Sequence, residues 1–213
     1  MPVSATEMMA NARSGLPGLT MLLIASSLTI DAPAAEALPA PQVIELTALA
    51  VAEAVAARRS RLETDKLERK ALIDELLLPQ FDLYSSCRLM LRQHWTSASP
   101  EQRRLFVDSF YRFLVASYGE ALTGFRKDTL TIMPADDSVD GGSTRVRTRL
   151  KLTNGNRYQV DFYMRRDDRG WRIVDVLVEG VSYVRTYRTD FGLEIRANGL
   201  DSVIARLDDV ANR

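Results

Sequence analysis

The 213-residue chain carries 28 basic and 28 acidic residues, so its formal charge is zero, and 46% of it is apolar. This balance excludes the global electrostatic footprint of a nucleic-acid binder, and the length suffices for one compact domain with a real core. A single cysteine, Cys87, excludes a disulfide framework, and a single histidine, His94, leaves little material for metal or nucleophilic chemistry.

In chain order, Arg13 precedes an uncharged run from Ser14 to Ile30 whose apolar part reads LTMLLIASSLTI. Ala32-Pro33-Ala34 and Ala35-Glu36-Ala37 follow, and both fit the small-residue cleavage rule. The run is short and rich in Ser and Thr for a membrane span, so residues 1–37 are expected to be a secretory signal peptide. Residues 38–213 would then be one mature domain. The alternative is an unremoved N-terminal anchor, because Glu7 offsets Arg13 in the leading segment.

Helical spacing comes next. Ile44, Ala48, Val51 and Val55 predict a helix over 42–59, with Pro41 in its first turn. A second helix is predicted from Glu63 to Leu78, stopping at Pro79. FDLYSSCRLMLRQHW, residues 81–95, reads as a third helix, in which Cys87 is a small buried hydrophobe and His94 an exposed polar residue near the end. Ser99, Pro100 and Gln102 then form a capping box opening a long helix. Phe106, Phe110, Phe113, Leu114, Tyr118, Ala121 and Phe125 make one aromatic stripe along it, suited either to ordinary core or to the wall of a ligand cavity.

From residue 129 the period changes to two. TLTIM is a short strand. RVRTRLKL places Val146, Thr148, Leu150 and Leu152 on one face and Arg145, Arg147, Arg149 and Lys151 on the other. Asn154-Gly155-Asn156 is a hairpin turn. On the return strand, Tyr158, Val160, Phe162 and Met164 share a face, while Asp161 joins the basic residues of its partner strand. WRIVDVLVE is apolar on both faces for much of its length, as a central strand would be. Helices around Val181–Phe191 and Leu200–Asp209 end the chain. From Arg145 to Arg172 there are nine basic and three acidic residues, a surface that would face solvent, a partner or lipid headgroups. The fold class is therefore α+β, with helices packed on one face of a curved antiparallel sheet of about four strands. A cone between helices and sheet is a common result.

Catalytic parts are scarce: there is no GxSxG, P-loop or CxxC, and no His/Cys/Asp cluster at metal spacing. No cofactor or metal is expected. The best enzymatic reading is a cone-fold isomerase or hydratase using Asp175 with Tyr158 or Tyr163. A protein-interaction module using the basic strand face is a third reading.

Several motifs occur in a specific order: Pro79-x-Phe81-Asp82 before a helix ending His94-Trp95, then Ser99-Pro100-Glu101-Gln102-Arg103 opening the aromatic helix. Gly170-Trp171-x-x-x-Asp175-Val176-x-x-Glu179-Gly180-Val181-Ser182 follows, then Tyr187-Arg188-x-x-Phe191 and Asn198-Gly199-Leu200-Asp201. Over roughly residues 70–207 the chain resembles the MlaC (toluene-tolerance) family of periplasmic phospholipid-binding proteins. It departs at Leu91-Arg92, where that family often has Leu-Gly. The resemblance implies a lipid shuttle working between an inner-membrane ABC transporter complex with an MCE-domain subunit and an outer-membrane lipoprotein complex. Relatives encoded beside hopanoid genes leave the cargo open between phospholipid and another membrane lipid.

Such a carrier must replace the bilayer around the tails. At about 0.8 kcal/mol per methylene, two acyl chains with on the order of thirty methylenes cost roughly 24 kcal/mol to expose. The resemblance directs attention to an apolar lipid cavity formed by the sheet face of Val146, Leu150, Val160, Phe162 and Met164. Phe106, Phe110, Phe113 and Tyr118 would close it. Val174, Val176 and Val178 offer the alternative sheet face. Tyr183 and Tyr187 would line the rim, with Arg185 and Arg188 in water at a headgroup or a partner, or else in helix-surface pairs with Asp190 or Glu194.

Overall fold

The computed structural model describes residues 38–134, 142–151 and 155–213. The predicted export segment, Leu152 and Asn154 of the hairpin turn lie outside the described residues. Pro41 does sit in the first turn of α1, Ala40–Thr64, which is longer at both ends than its periodicity suggests. This helix is apolar enough, by length and composition, to cross a membrane. Here Ile44 packs on the sheet, while Val51, Val55 and Leu62 cluster with Leu72.

The predicted second helix is broken in two places. Asp65 caps α2, Lys66–Leu72, by accepting from the Leu67 N–H at 2.7 Å. The chain then widens into a π turn, Ile73–Leu77, in which the Leu78 N–H donates to the Ile73 carbonyl. Pro79 explains the change: it has no N–H to give and crowds the preceding turn. A 3₁₀ turn at Leu78–Gln80 follows.

The third helix is also split. Asp82 caps α3, Leu83–Leu91, which stops at Arg92 with φ 49° and ψ −114°, and α4 runs from Gln93 to Ser97. That backbone suits glycine, the residue the resembled family often carries there. Arg92→Gly is expected to stabilise the protein by about 1 kcal/mol, read as a higher urea midpoint at unchanged slope. Cys87 is fully buried in α3. Burial, aided by the negative charge of Asp82, pushes its thiol far above the ordinary range.

α5, Pro100–Tyr118, opens on the predicted capping box: Ser99 Oγ accepts from the Gln102 N–H at 3.1 Å and the Ser99 N–H donates to Gln102 Oε1 at 3.0 Å. It ends at Tyr118, and a 3₁₀ segment, Gly119–Gly124, carries Ala121 out of the stripe.

Among the described residues five strands form one antiparallel sheet in sequence order: β1 Leu130–Ile132, β2 Ser143–Lys151, β3 Arg157–Asp167, β4 Gly170–Val178 and β5 Val181–Ser182. The fifth, of two residues, was beyond the expected four. Val146 faces Phe162 and Thr148 faces Val160, as alternation requires. On the opposite face Asp161 is fully buried, paired with Arg145 at 2.8 Å and bonded by Gln159 Nε2.

β4 is irregular. Its register with β3 shifts between Tyr163 and Met164, so that Tyr163 faces Asp175 but Met164 faces Ile173, leaving Val174 as a bulge. Ser86 Oγ on α3 bonds the Val174 carbonyl at 2.8 Å and locks the bulge to the helix. Beyond β4, Glu179 and Gly180 both take positive φ in a two-residue hairpin to β5. α6, Tyr183–Asn198, and α7, Leu200–Ala211, then pack on α3 and α5. Both are longer than predicted, and Gly199 at φ 83° divides them. The principal core joins α3, α5, α6 and α7 around Phe106, Phe110 and Phe191. A second cluster lies between the sheet and the start of α1.

Candidate functional site

A cavity of about 340 Å³ opens between α5, the π turn and β4, in the range of about 300–1,000 Å³ usual for ligand sites. Three features of the chain aim side chains into it. On α5, Phe110, Leu114 and Tyr118 recur at four-residue intervals beside Val115. The widened turn before Pro79 presents Ile73, Leu77 and Leu78. On β4 the bulge lets Val174, Asp175 and Val176 all reach the wall, which strict alternation would forbid.

Polar side chains in this wall are turned into partners within the protein. Tyr111 donates its hydroxyl to Asp74, which also holds Lys70. Ser86 bonds the Val174 carbonyl. Tyr118 and Tyr187 share a hydrogen bond at 3.2 Å between hydroxyls, and Tyr183 stands beside both rings. Burial raises the Tyr111 phenol, assisted by the Asp74 carboxylate; burial raises Tyr183 and Tyr187 too, with Tyr118 adding to the effect. These three phenols therefore stay neutral, and the wall presents mainly carbon.

Among the described residues Asp175 is the one carboxylate in the wall. Its Oδ1 accepts from the Val184 N–H at 3.0 Å and its Oδ2 from Ser182 Oγ at 2.5 Å. It thus fixes the start of α6 against β4. Of its candidate partners, Tyr163 is its cross-strand neighbour on β3, 41% exposed, and Tyr158 lies further along β3, opposite Leu150. Asp175→Ala is expected to cost about 1–2 kcal/mol of stability, visible as a lowered thermal midpoint.

Of the residues singled out from sequence, Phe110, Tyr118, Val174, Val176, Val178, Tyr183 and Tyr187 stand in the wall. Phe106 and Phe113 do not. Phe106 is fully buried, with the Phe191 ring at 5.5 Å, and Phe113 packs on Phe110 and Tyr187. The Val146, Phe162 and Met164 face is occupied by the start of α1, so it is core rather than cavity. Val160 and Leu150 share that strand face and also stay out of the wall. The cavity uses β4 instead, and not by way of an opposite face: Val176 is directly across from Phe162 and Val178 from Val160, so they share one sheet face. Arg185 and Arg188 are absent from it as well. Arg185 is exposed, and Arg188 Nε donates to the Leu89 carbonyl at 3.0 Å. Asp190 and Glu194, their candidate partners, are held instead by Arg206. The residues not anticipated include Ile73, Leu77 and Leu78, whose signal is the apolar run before Pro79, and also Phe81, Leu83, Met90, Tyr111, Val115 and Leu122.

Comparisons with known proteins give a consistent result. The chain is 28% identical over 113 residues to the toluene tolerance protein ttg2D of Pseudomonas putida, a match spanning 53% of this chain and 52% of that protein. It is 24% identical over 163 residues to the intermembrane phospholipid transport system binding protein MlaC of Haemophilus influenzae, covering 75% of this chain and 76% of that one. A solved structure of a phospholipid-binding protein from Ralstonia solanacearum, in complex with a phospholipid, superimposes with a TM-score of 0.75 at 21% identity. It covers 82% of this chain and 98% of its own, and so shares the fold. The family model described as MlaC protein matches residues 46–209, through every helix and strand that builds the cavity, and the chain belongs to the MlaC family.

Proposed function

We propose that this protein is a soluble periplasmic carrier that holds phospholipid, or a related membrane lipid, by its acyl chains. It would shuttle that lipid between inner and outer membranes and so maintain outer-membrane lipid asymmetry. The observation that carries this reading is the apolar cavity whose polar side chains are satisfied within the protein. Such a wall replaces the bilayer for acyl tails and offers little to a polar substrate. The phospholipid-bound neighbour and the relative named for intermembrane phospholipid transport support the cargo class. The apolar run at residues 14–30 supports export as a secreted protein. On this reading its partners are an inner-membrane ABC transporter complex with an MCE-domain subunit and an outer-membrane lipoprotein complex. The reading gives Asp175 a structural part, since its carboxylate holds the start of α6 against β4.

Protein purified without detergent is expected to bring lipid with it, detected by solvent extraction and by native mass spectrometry of the intact complex. A lipid-free protein that takes up nothing from vesicles would overturn the reading.

A further inference from the structure

A second concavity, a groove of about 940 Å³, lies on the other side of α3 and α6. Among the described residues five arginines line it, Arg88, Arg92, Arg103, Arg188 and Arg196, and no carboxylate does. This is unusual in a chain with no net charge. Elsewhere Arg58, Arg104, Arg112, Arg165, Arg172 and Arg206 each sit on an acidic side chain. In the groove, the guanidiniums of Arg88, Arg92 and Arg196 make no ion pair among the described residues. Arg103 and Arg188 are held in place by backbone carbonyls: Arg103 by Trp95 and Thr96, Arg188 by Leu89. Bonded to neutral oxygens, both keep their full charge available.

We propose that this groove is a docking site for an acidic segment of a partner protein. Guanidinium pairs carboxylate in a bidentate geometry, and a row of them selects an anionic chain by charge complementarity. The shape favours an inserted segment over a flat lipid surface, because the arginines line the walls of a concavity. Gly192 on α6 is part of the groove wall, where it adds no side chain, and that accounts for a glycine within a helix at a cost near 1 kcal/mol. Tyr84 and Leu89, both exposed on the rim, supply apolar contacts beside the charge. Aromatic and arginine side chains together are the composition of an interface centre. The inference rests on the carrier reading only for why docking is needed; among the described residues the groove shares Met90 alone with the cavity, and none of its arginines.

The test uses the whole protein and a fluorescently labelled peptide of alternating Glu and Leu, followed by anisotropy at low and at physiological salt. Saturable binding that weakens with salt is expected, and the double variant Arg88→Glu, Arg196→Glu should weaken it about tenfold or more. Both residues are exposed and unpaired, so the variant should fold and retain its extractable lipid. Absence of saturable binding, or binding unchanged by the double variant, overturns the proposal. So does competition in which phosphatidylglycerol vesicles displace the peptide through the same arginines, which would make the groove a membrane site. Loss of lipid from the wild type alone would count against the carrier reading and leave the docking result standing.

Discussion

Val178→Glu is expected to leave the protein folded and empty of lipid. Val178 stands in the cavity wall and belongs to none of the three core clusters. Its backbone pairs with Val160 and Val181, and those bonds do not depend on the side chain. A carboxylate at this point must either remain hydrated or be dehydrated by tails, and dehydrating an unpaired charge costs several kcal/mol. Water retained in the cavity then removes the advantage of about 0.8 kcal/mol per buried methylene on which retention depends. Native mass spectrometry should show apo protein, with an unfolding midpoint close to that of the wild type. Lipid held at the wild-type ratio would place the tails elsewhere. Phe162→Glu makes the contrast: Phe162 packs in the sheet cluster under α1, so that change should damage folding first.

Phe191→Ala should be the most destabilising single change in the helical half. Phe191 is fully buried, edge-on to Phe106 at 5.5 Å and to Phe110 at 6.0 Å, stacked on Tyr187 at 5.3 Å, and covered by the Arg206 guanidinium. Removing a buried phenyl ring costs about 3–5 kcal/mol, a large share of the 5–15 kcal/mol or so that holds a domain of this kind together. Because Tyr187 also lines the cavity, the loss should loosen that wall and reduce lipid retention in whatever protein remains folded. Denaturant unfolding followed by circular dichroism measures the first effect. A change under about 1 kcal/mol would mean that the neighbouring rings close over the gap.

The sequence disclosed those features whose causes are local. The capping box at Ser99 and the alternation along β2 and β3 each follow from a few adjacent residues, and the structure has both. It did not disclose which part of the sheet face meets the cavity, because α1 covers the part around Val146 and Met164 from more than a hundred residues away in the chain and leaves Val178 to the wall. Nor did it disclose the bulge at Val174, whose carbonyl is held by Ser86 on a different element. Strict alternation would put Val174 and Val176 on one face and Asp175 on the other. The π turn has a visible cause in Pro79, but periodicity alone reads through it as ordinary helix. Arg188 illustrates the same limit: its guanidinium faces a backbone carbonyl of α3, a partner that spacing along its own helix could not indicate.

The chain's two tryptophans occupy different compartments. Trp171 is buried in the sheet cluster, away from the cavity, while Trp95 lies in the arginine groove, edge-on to Tyr84 at 4.9 Å and beneath Arg103. Neither indole belongs to the wall that would meet cargo. Intrinsic emission should therefore stay constant as lipid is loaded or removed and change when something enters the groove. The protein carries its own optical means of telling a full carrier from an engaged one, with no label added.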